Sequence, residues 1–301
     1  MIRIFPLLLL FVLLTGAVHT ASAQVVELGQ FNPSGAGGLC GIGFDETNDG
    51  VWVYDCSAAD VQQYSTAGTF VTSVARPGEL ANDVDVEFSP VGFTLDSTVL
   101  AAGTLLFVNG ETGVAEVYAV DESTGAILET LITAFGVAHV VGGAHHPDRA
   151  SLFLVQDRVP ASPTGNQIAE VDPETGGVLN SFSTLPDFDV NFGDVDVCRS
   201  SGNLLVVSSI ETSIGEFAAN GSLVQLHALP AGVSSLSGIA IDDRSGEAWV
   251  SGTAGVVWHL GGLPCGTTEV PALSGWAQLM LSLLVLILAT LSLRSRSAVT
   301  S

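Results

Sequence analysis

The chain has 301 residues, 31 of them acidic and eight basic, and its formal net charge is −23 at pH 7. All eight basic residues are arginine. Such a charge repels nucleic acid and anionic lipid, and it is compatible with cations, basic partners or a salty medium. A highly acidic surface without lysine is more often a solvation adaptation than a binding site, so charge alone names no ligand.

The N-terminus is typical of a secretory signal peptide. Arg3 precedes an apolar stretch at 5–14, and Ala21-Ser22-Ala23 is a small-residue cleavage site before Gln24. The apolar stretch is shorter than the ~20 residues of a membrane span. We therefore expect cleavage after Ala23, with residues 1–23 removed. A retained signal anchor is the alternative.

Short apolar runs separated by turn residues fill the region between 25 and 260 and predict β-strands. The runs recur five times in the same order, and the first strands of the five copies have landmarks at 45, 87, 145, 198 and 242. A repeat of roughly 40–50 residues with four strands in each copy is typical of propeller blades. The sequence thus predicts an all-β fold, a β-propeller of five four-stranded blades, over residues 24–264.

The two ends of this domain complement each other. The fifth copy lacks an outer strand, and Val25–Leu28 is a spare strand before the first copy. Joining them would close the ring and cover the last sheet edges. A six-bladed ring is the alternative, with part of a blade concealed in the insertion at 89–103.

Two segments resemble a strand–turn element of known propellers. Glu170–Gly176 and Ala119–Gly125 are similar to the V-D-x-x-T-G element of YVTN, NHL and quinoprotein-like propellers. In this element Asp and Thr bond the turn backbone, and Gly supplies a positive φ. Because such folds serve many functions, the resemblance implies a shape and not an activity.

Four cysteines remain after removal of the signal: Cys40, Cys56, Cys198 and Cys265. An even number in an exported chain suggests disulfides, with three possible pairings. Cys40 and Cys56 flank a predicted hairpin with its turn at 47–50, which favours pairing between them. Cys198 with Cys265 then follows by elimination.

The C-terminal segment, residues 265–301, begins with a linker and continues with a short polar motif, an uncharged apolar run and a basic end. The motif residues are Val270, Pro271, Leu273, Ser274 and Trp276, and the basic end has Arg294 and Arg296. The apolar run is long enough for a transmembrane helix, and the arginines would remain cytoplasmic.

This order resembles the IPTL-CTERM class of sorting signals, relatives of PEP-CTERM in Gram-negative bacteria. The chain departs from the class in having Val270 for the first Ile and Ala272 for the usual Thr. The resemblance implies an exosortase-type protease partner that cuts at the motif and passes the protein to the surface. The expected location is therefore an inner-membrane anchor with the ectodomain in the periplasm, then the cell surface. An ordinary, uncut C-terminal anchor is the alternative.

Acidic residues cluster at the predicted first strands, which line the central channel of a propeller. Asp83 and Asp194 belong to this set, and the candidate metal ligands are Asp45, Asp85, Glu87, Asp196 and Asp242. Converging carboxylates could bind Ca²⁺, which takes 6–8 oxygen ligands. Propellers of the SMP-30/gluconolactonase type hydrolyse lactones at a central metal, and this is the enzymatic interpretation. Otherwise the acids cap strands and solvate the channel mouth, which the pattern favours.

Three histidines, His139, His145 and His146, lie near Asp148. They could ligate a transition metal, but the pattern favours a turn after the first strand of the third copy. No nucleophile-elbow, P-loop or zincin motif occurs. The sequence therefore favours a non-enzymatic binding, adhesion or envelope-structural module for a glycan or matrix ligand. The alternative is a Ca²⁺-dependent hydrolase.

Overall fold

The computed structural model describes residues 24–33, 35, 37–77, 84–161 and 163–265. The predicted signal peptide, sorting motif, membrane helix and basic tail lie outside the described residues, as does Asp83. No helix within the described part is long and apolar enough to cross a membrane.

The described chain is built from strands in repeated groups. Strand β1 is Val26–Phe31, and the first group is β2 (Leu39–Asp45), β3 (Gly50–Asp55), β4 (Asp60–Ser65) and β5 (Phe70–Ala75). The second is β6 (Val84–Phe88), the small hairpin β7 (Phe93–Leu95) and β8 (Thr98–Leu100), then β9 (Leu105–Thr112), β10 (Glu116–Val120) and β11 (Ile127–Ile132). The third is β12 (Ala138–His146), β13 (Ser151–Gln156), β14 (Gln167–Val171) and β15 (Val178–Ser183). The fourth is β16 (Gly193–Cys198), β17 (Asn203–Ser208), β18 (Ser213–Phe217) and β19 (Leu223–Ala228), and the last is β20 (Leu236–Asp242), β21 (Glu247–Gly252) and β22 (Val257–Gly261).

Each group folds as an antiparallel meander. The orders are β2-β3-β4-β5, β6-β9-β10-β11, β12-β13-β14-β15 and β16-β17-β18-β19. Strand β9 also pairs with β12 at Thr112 and Gly110, which links the second and third meanders at one edge. The insertion at 89–103 forms the separate β7–β8 hairpin.

The N-terminal strand completes the last meander, as the spare strand in the sequence predicted. Strand β1 lies antiparallel to β22, with Val26 opposite Gly261 and Phe31 opposite Val257. The order is β20-β21-β22-β1, so this four-stranded sheet is assembled from both ends of the described chain.

The first strands of the five meanders form a closed cycle of contacts. Strand β2 lies against β6 and β20, β12 lies against β6 and β16, and β16 lies against β20. Glycines allow this close approach: a Cβ added at Gly41 would lie 2.7 Å from the Asp85 Cα and 2.8 Å from the Val86 nitrogen. The meanders therefore radiate from a narrow axis.

The core is divided among the interfaces between neighbouring meanders. Five clusters of buried apolar side chains lie in the described part, and each draws on two adjacent meanders. One of them packs Leu39 and Ile42 against Ala240 and Trp249, and so joins the first meander to the last. Because both faces of each meander are covered, β3 and β13 are buried along almost their whole length.

Two disulfides connect the four cysteines. Cys40 bonds Cys56 within the first meander, with Cα atoms 5.2 Å apart. Cys198, at the end of β16, bonds Cys265, with Cα atoms 4.9 Å apart and a sequence separation of 67. These are the pairs that the sequence favoured. The second bond ties the chain after β22 to the neighbouring meander.

The long-range disulfide is expected to contribute more stability than the local one. A Cys198→Ser/Cys265→Ser protein should lose about 4 kcal/mol, because a cross-link over a long loop restricts the unfolded chain most. The matched Cys40→Ser/Cys56→Ser protein, with a separation of 16 residues, should lose less. Urea unfolding of both variants measures the difference, and a larger loss for the local pair would contradict the expectation.

Candidate functional site

A cavity of about 190 Å³ lies where the five first strands end. We call it the axial cavity. Its polar and charged lining residues are Glu46, Thr47, Glu87, Ser89, His145, Asp196, Arg199, Asp243 and Arg244. Phe44, Phe88, Val197 and Ile241 supply apolar wall. Thr47 is exposed, and the side chains of Arg199 and Arg244 are 37% and 47% exposed, so the cavity reaches solvent between these residues.

The opposite end of the axis is closed. The space there is lined by residues at or near the starts of the same five strands and has no room for a water molecule; they include Cys40, Val84, Val141, Phe192 and Ser237. The five strands therefore run in one direction, and a ligand can approach the axis from the cavity end.

Four carboxyl groups lie on the axis, two in the cavity lining and two beneath it. Asp85 and Glu87 come from β6, and Asp194 and Asp196 come from β16; all four are buried. They face inward because alternate residues of a strand share one face. Two strands that do not pair with each other thus bring their acids to one place.

Three of these acids bond backbone amides of other first strands. Asp85 Oδ2 accepts from the Gly143 N–H at 3.2 Å. Asp194 Oδ2 accepts from Ile239 at 2.9 Å, and Asp196 Oδ2 accepts from Ile241 at 2.6 Å. The first strands of neighbouring meanders form no backbone hydrogen bonds with each other, so their buried amides need other acceptors. The axial aspartates meet that need and connect one meander to the next.

Burial makes these groups hard to ionise. It raises the pKa of Asp85 to about 7, which the amides of Val86 and Gly143 partly oppose. Burial raises the pKa of Glu87 well above its usual range, and the charges of Asp196, Asp85 and Asp194 add to this effect. The pKa values of Asp194 and Asp196 are raised in the same direction, first by burial. The axis therefore holds protons that exposed carboxylates would release.

Two of the predicted metal ligands lie elsewhere. Asp45 accepts hydrogen bonds from the amides of Thr47 and Asn48 and caps the β2–β3 turn. Asp242 binds the Arg244 guanidinium at 2.8 Å and the Ser245 hydroxyl in the β20–β21 turn. Of the five candidates, Asp85, Glu87 and Asp196 come together and Asp45 and Asp242 do not.

A charged rim surrounds the cavity mouth. The Asp243 N–H donates to Glu46 Oε1 at 2.9 Å, and the Arg199 N–H donates to Asp243 Oδ1 at 3.1 Å. Burial raises the pKa of Asp243 to about 7, and the Arg199 amide opposes the rise. Arg244 binds Asp49 and the Glu46 carbonyl, so both arginines are engaged by protein groups.

His145 lines the cavity on the side of the insertion. Its Nδ1 lies 2.7 Å from the Ser89 hydroxyl, and its ring stacks on Phe93 of β7 with centroids 4.2 Å apart. Its Nε2 is buried and has no hydrogen-bond partner among the described residues. Burial lowers the pKa of His145 to about 4, and the neighbouring His146 adds to this, so the ring is neutral at physiological pH.

The turn that the sequence predicted at His145 and His146 begins later in the structure. His145 and His146 are the last residues of β12, and the turn follows them. Adjacent strand residues point to opposite faces, so His146 contacts the Gly202 carbonyl while His145 reaches the axis. His139 lies near the other end of the same strand. The three histidines therefore do not converge.

Several cavity residues were not singled out from the sequence. Glu46, Arg199 and Asp243 each directly follow a landmark at the end of a first strand, so alignment of the repeats could have found them. Ser89 and Phe93 had no such signal, since only the fold of the insertion brings them to His145.

The described residues contain no group of three His, Cys, Asp or Glu side chains arranged to hold a metal ion. As for calcium, the oxygens of Asp194 and Asp196 accept hydrogen bonds from backbone amides, and Asp45 and Asp242 belong to turns. Glu87 is the carboxylate placed best to face a cation in the cavity.

No family model and no curated protein sequence matches the chain. Among solved structures, the glutaminyl cyclase of Myxococcus xanthus is similar with a TM-score of 0.54 and 12% identity, over 79% of this chain and 96% of that one. A gluconolactonase of Xanthomonas campestris is similar with a TM-score of 0.50 and 15% identity, over 80% of this chain and 90% of that one. Identities this low show a common fold alone. The radial four-stranded meanders and these likenesses define the fold as a β-propeller.

Proposed function

We propose that this chain is an exported, surface-sorted β-propeller of five blades that acts as a binding module, with the axial cavity as its ligand site. The main observation in support of this proposal is that one cavity of about 190 Å³ is lined by Glu87, Asp196, Asp243 and the neutral His145. Small-ligand sites in proteins are typically concavities with a few converging polar groups.

Five blades are supported by the closed cycle of β2, β6, β12, β16 and β20 and by one apolar cluster at each of five interfaces. The insertion at 89–103 forms only a two-stranded hairpin, which is less than a blade. This favours five blades over six.

Export and sorting rest on the two ends of the sequence. The charged start and Ala21-Ser22-Ala23 support export, and Pro271, Trp276 and the arginines at 294 and 296 support recognition by an exosortase-type protease. The two disulfides suit an oxidising compartment outside the cytoplasm.

The proposed export and sorting can be tested by expressing the full chain in Gram-negative cells with and without an exosortase-type protease. With the protease we expect a product shortened at both ends and accessible to external proteinase on intact cells. Without it the C-terminal tail should remain and hold the chain in the inner-membrane fraction. A Pro271→Ala/Trp276→Ala chain should behave in both hosts like the uncut protein. Equal processing in the two hosts would contradict sorting by the protease and favour the alternative, an uncut C-terminal membrane anchor.

Retention on cell surfaces tests the binding role. Purified full chain is added to cells that do not make it, and the bound fraction is measured. Glu87→Gln should reduce retention, whereas Glu174→Gln, the same substitution in an exposed turn, should not. Equal retention of the two variants would contradict a ligand site in the axial cavity.

The alternative, a Ca²⁺-dependent hydrolase, is favoured by one observation: Glu87 and Asp196 both line the cavity. Turnover of lactones or esters that requires calcium and is lost in Glu87→Gln would replace the binding module by this enzyme. The shared fold with a gluconolactonase gives no support to this activity, because the identity is only 15%.

A further inference from the structure

The tautomer of His145 follows from the hydrogen bonds of Ser89. The Ser89 hydroxyl donates to the Val91 carbonyl at 2.6 Å, and a carbonyl can only accept. Since this bond uses the one hydroxyl hydrogen, the contact of 2.7 Å with His145 must be donated by Nδ1–H. Nε2 therefore carries a lone pair and no proton.

The His145 ring is fixed in position, but no hydrogen-bond donor among the described residues reaches its Nε2 lone pair. Phe93 stacks on the ring with planes 19° apart, and Ser89 fixes its rotation. The residue is 3% exposed, and its Nε2 has no partner among the described residues. A buried acceptor without a donor is costly, and such a group calls for a ligand that donates.

The rest of the cavity also offers acceptors. Glu87 is a carboxyl group, and Asp196 and Asp243 are carboxyl groups that already accept hydrogen bonds from backbone amides. The two arginines are bound by Asp243, Asp242 and Asp49. Phe44, Phe88 and Ile241 provide an apolar surface beside these acceptors. A complementary ligand has several N–H donors, a positive charge and a short hydrocarbon part.

We infer that the axial cavity binds the ammonium group of a small primary amine, with His145 Nε2 and the Glu87 carboxylate as acceptors. This inference rests on the proposed binding role and names its ligand class. An ammonium has three donors and no acceptor, which matches the His145 lone pair and the two carboxylate oxygens of Glu87. A volume of about 190 Å³ leaves room for a carbon chain behind the charged head.

Binding should depend on pH. Burial and neighbouring charges raise the pKa of Glu87 well above its usual range, so an incoming ammonium must displace a proton. We expect proton release on binding, and an affinity for the amine that increases as the pH rises. Calorimetry in two buffers of different ionisation enthalpy measures this release.

The test titrates the purified full chain with n-propylamine, with 1-propanol as the uncharged analogue and with calcium chloride. We expect the amine to bind and the alcohol not to bind. Glu87→Gln and His145→Phe should each weaken amine binding about tenfold or more. The first replaces a carboxylate oxygen by an N–H donor and removes the negative charge, and the second removes the Nε2 acceptor. Phenylalanine keeps the stacking on Phe93.

The controls match each change outside the cavity. Glu174→Gln removes a carboxylate from an exposed turn, and His259→Phe replaces another stacked histidine, which lies on Trp249. Both should bind the amine as wild type does. If a cavity variant fails to fold by circular dichroism, Asp243→Asn at the rim takes its place, with the same expected weakening.

Three results would overturn the inference: equal binding of amine and alcohol, binding of calcium without binding of the amine, or equal loss in cavity and control variants. If the amine fails but retention on cells still requires Glu87, the binding module survives and only the ligand class is wrong. If retention is also independent of Glu87, the proposed function itself fails.

Discussion

Gly41→Ala should be among the most destabilising single changes in the propeller. The added Cβ would lie 2.7 Å from the Asp85 Cα, 2.8 Å from the Val86 nitrogen and 2.9 Å from the Val84 carbonyl oxygen. All three are backbone atoms of β6, so no side chain can rotate away and two first strands must separate. Overpacking typically costs 1–3 kcal/mol, and we expect about 3 kcal/mol or more here.

Gly29→Ala is the matched control. Gly29 lies on β1, where a Cβ would meet nothing within 4 Å. Its substitution should change the free energy of unfolding by less than about 0.5 kcal/mol. Urea unfolding of the two variants gives the comparison, and similar stabilities would mean that the first strands are not packed as closely as described.

The protein should be more stable at pH 5 than at pH 8. A carboxyl with a raised pKa binds its proton more tightly in the folded state than in the unfolded state, so folding takes up protons between the two pKa values. For Asp85 these are 3.8 and about 7. Its contribution therefore favours folding below about pH 4 and is lost as the pH rises through 7, a change on the order of 4 kcal/mol.

The other buried acids act in the same direction, since the pKa values of Glu87, Asp194 and Asp196 are also raised. Groups such as Glu170, whose pKa the Arg149 ion pair lowers, act oppositely and lose their contribution only near pH 4 and below. Burial lowers the pKa values of His145 and His146, so these two rings oppose part of this change below about pH 6.5. The axial carboxyl groups outnumber them, so stability should still fall from pH 5 to pH 8.

Urea unfolding of the full chain across this range measures the slope. In Asp85→Asn the slope between pH 5 and pH 7 should be shallower, because the amide does not titrate. A wild-type protein that is equally stable at pH 5 and pH 8 would argue against protonated carboxyls on the axis.

The blade pattern could be predicted because it is local. Apolar runs with turn residues between them predict strands one at a time, and the recurrence of acids at first strands indicates which strand lies innermost. The β1–β22 pairing followed from counting strands, since a sheet edge without a partner is unfavourable. The Cys40–Cys56 bond followed from a single hairpin.

The site was only partly predictable, because each side chain's partner comes from a distant repeat. Asp85 and Asp45 look alike in sequence as acids of a first strand. One accepts a hydrogen bond from the Gly143 amide on the axis, and the other caps its own turn. The sequence shows that both residues belong to first strands. Whether such an acid lies on the axis or caps a turn depends on its position along the strand and on the blade packed beside it.

The sequence by itself therefore determined the class of fold, the order of strands within each meander and the acidic character of the first strands. The tertiary structure alone decided which acids meet, that one end of the axis is closed, and that Ser89 and Phe93 fix His145. The physical reason is the distance along the sequence over which each interaction acts. Hydrophobic periodicity and turn chemistry act over a few residues, whereas burial, proton retention and cavity shape arise where strands distant in sequence pack around one axis.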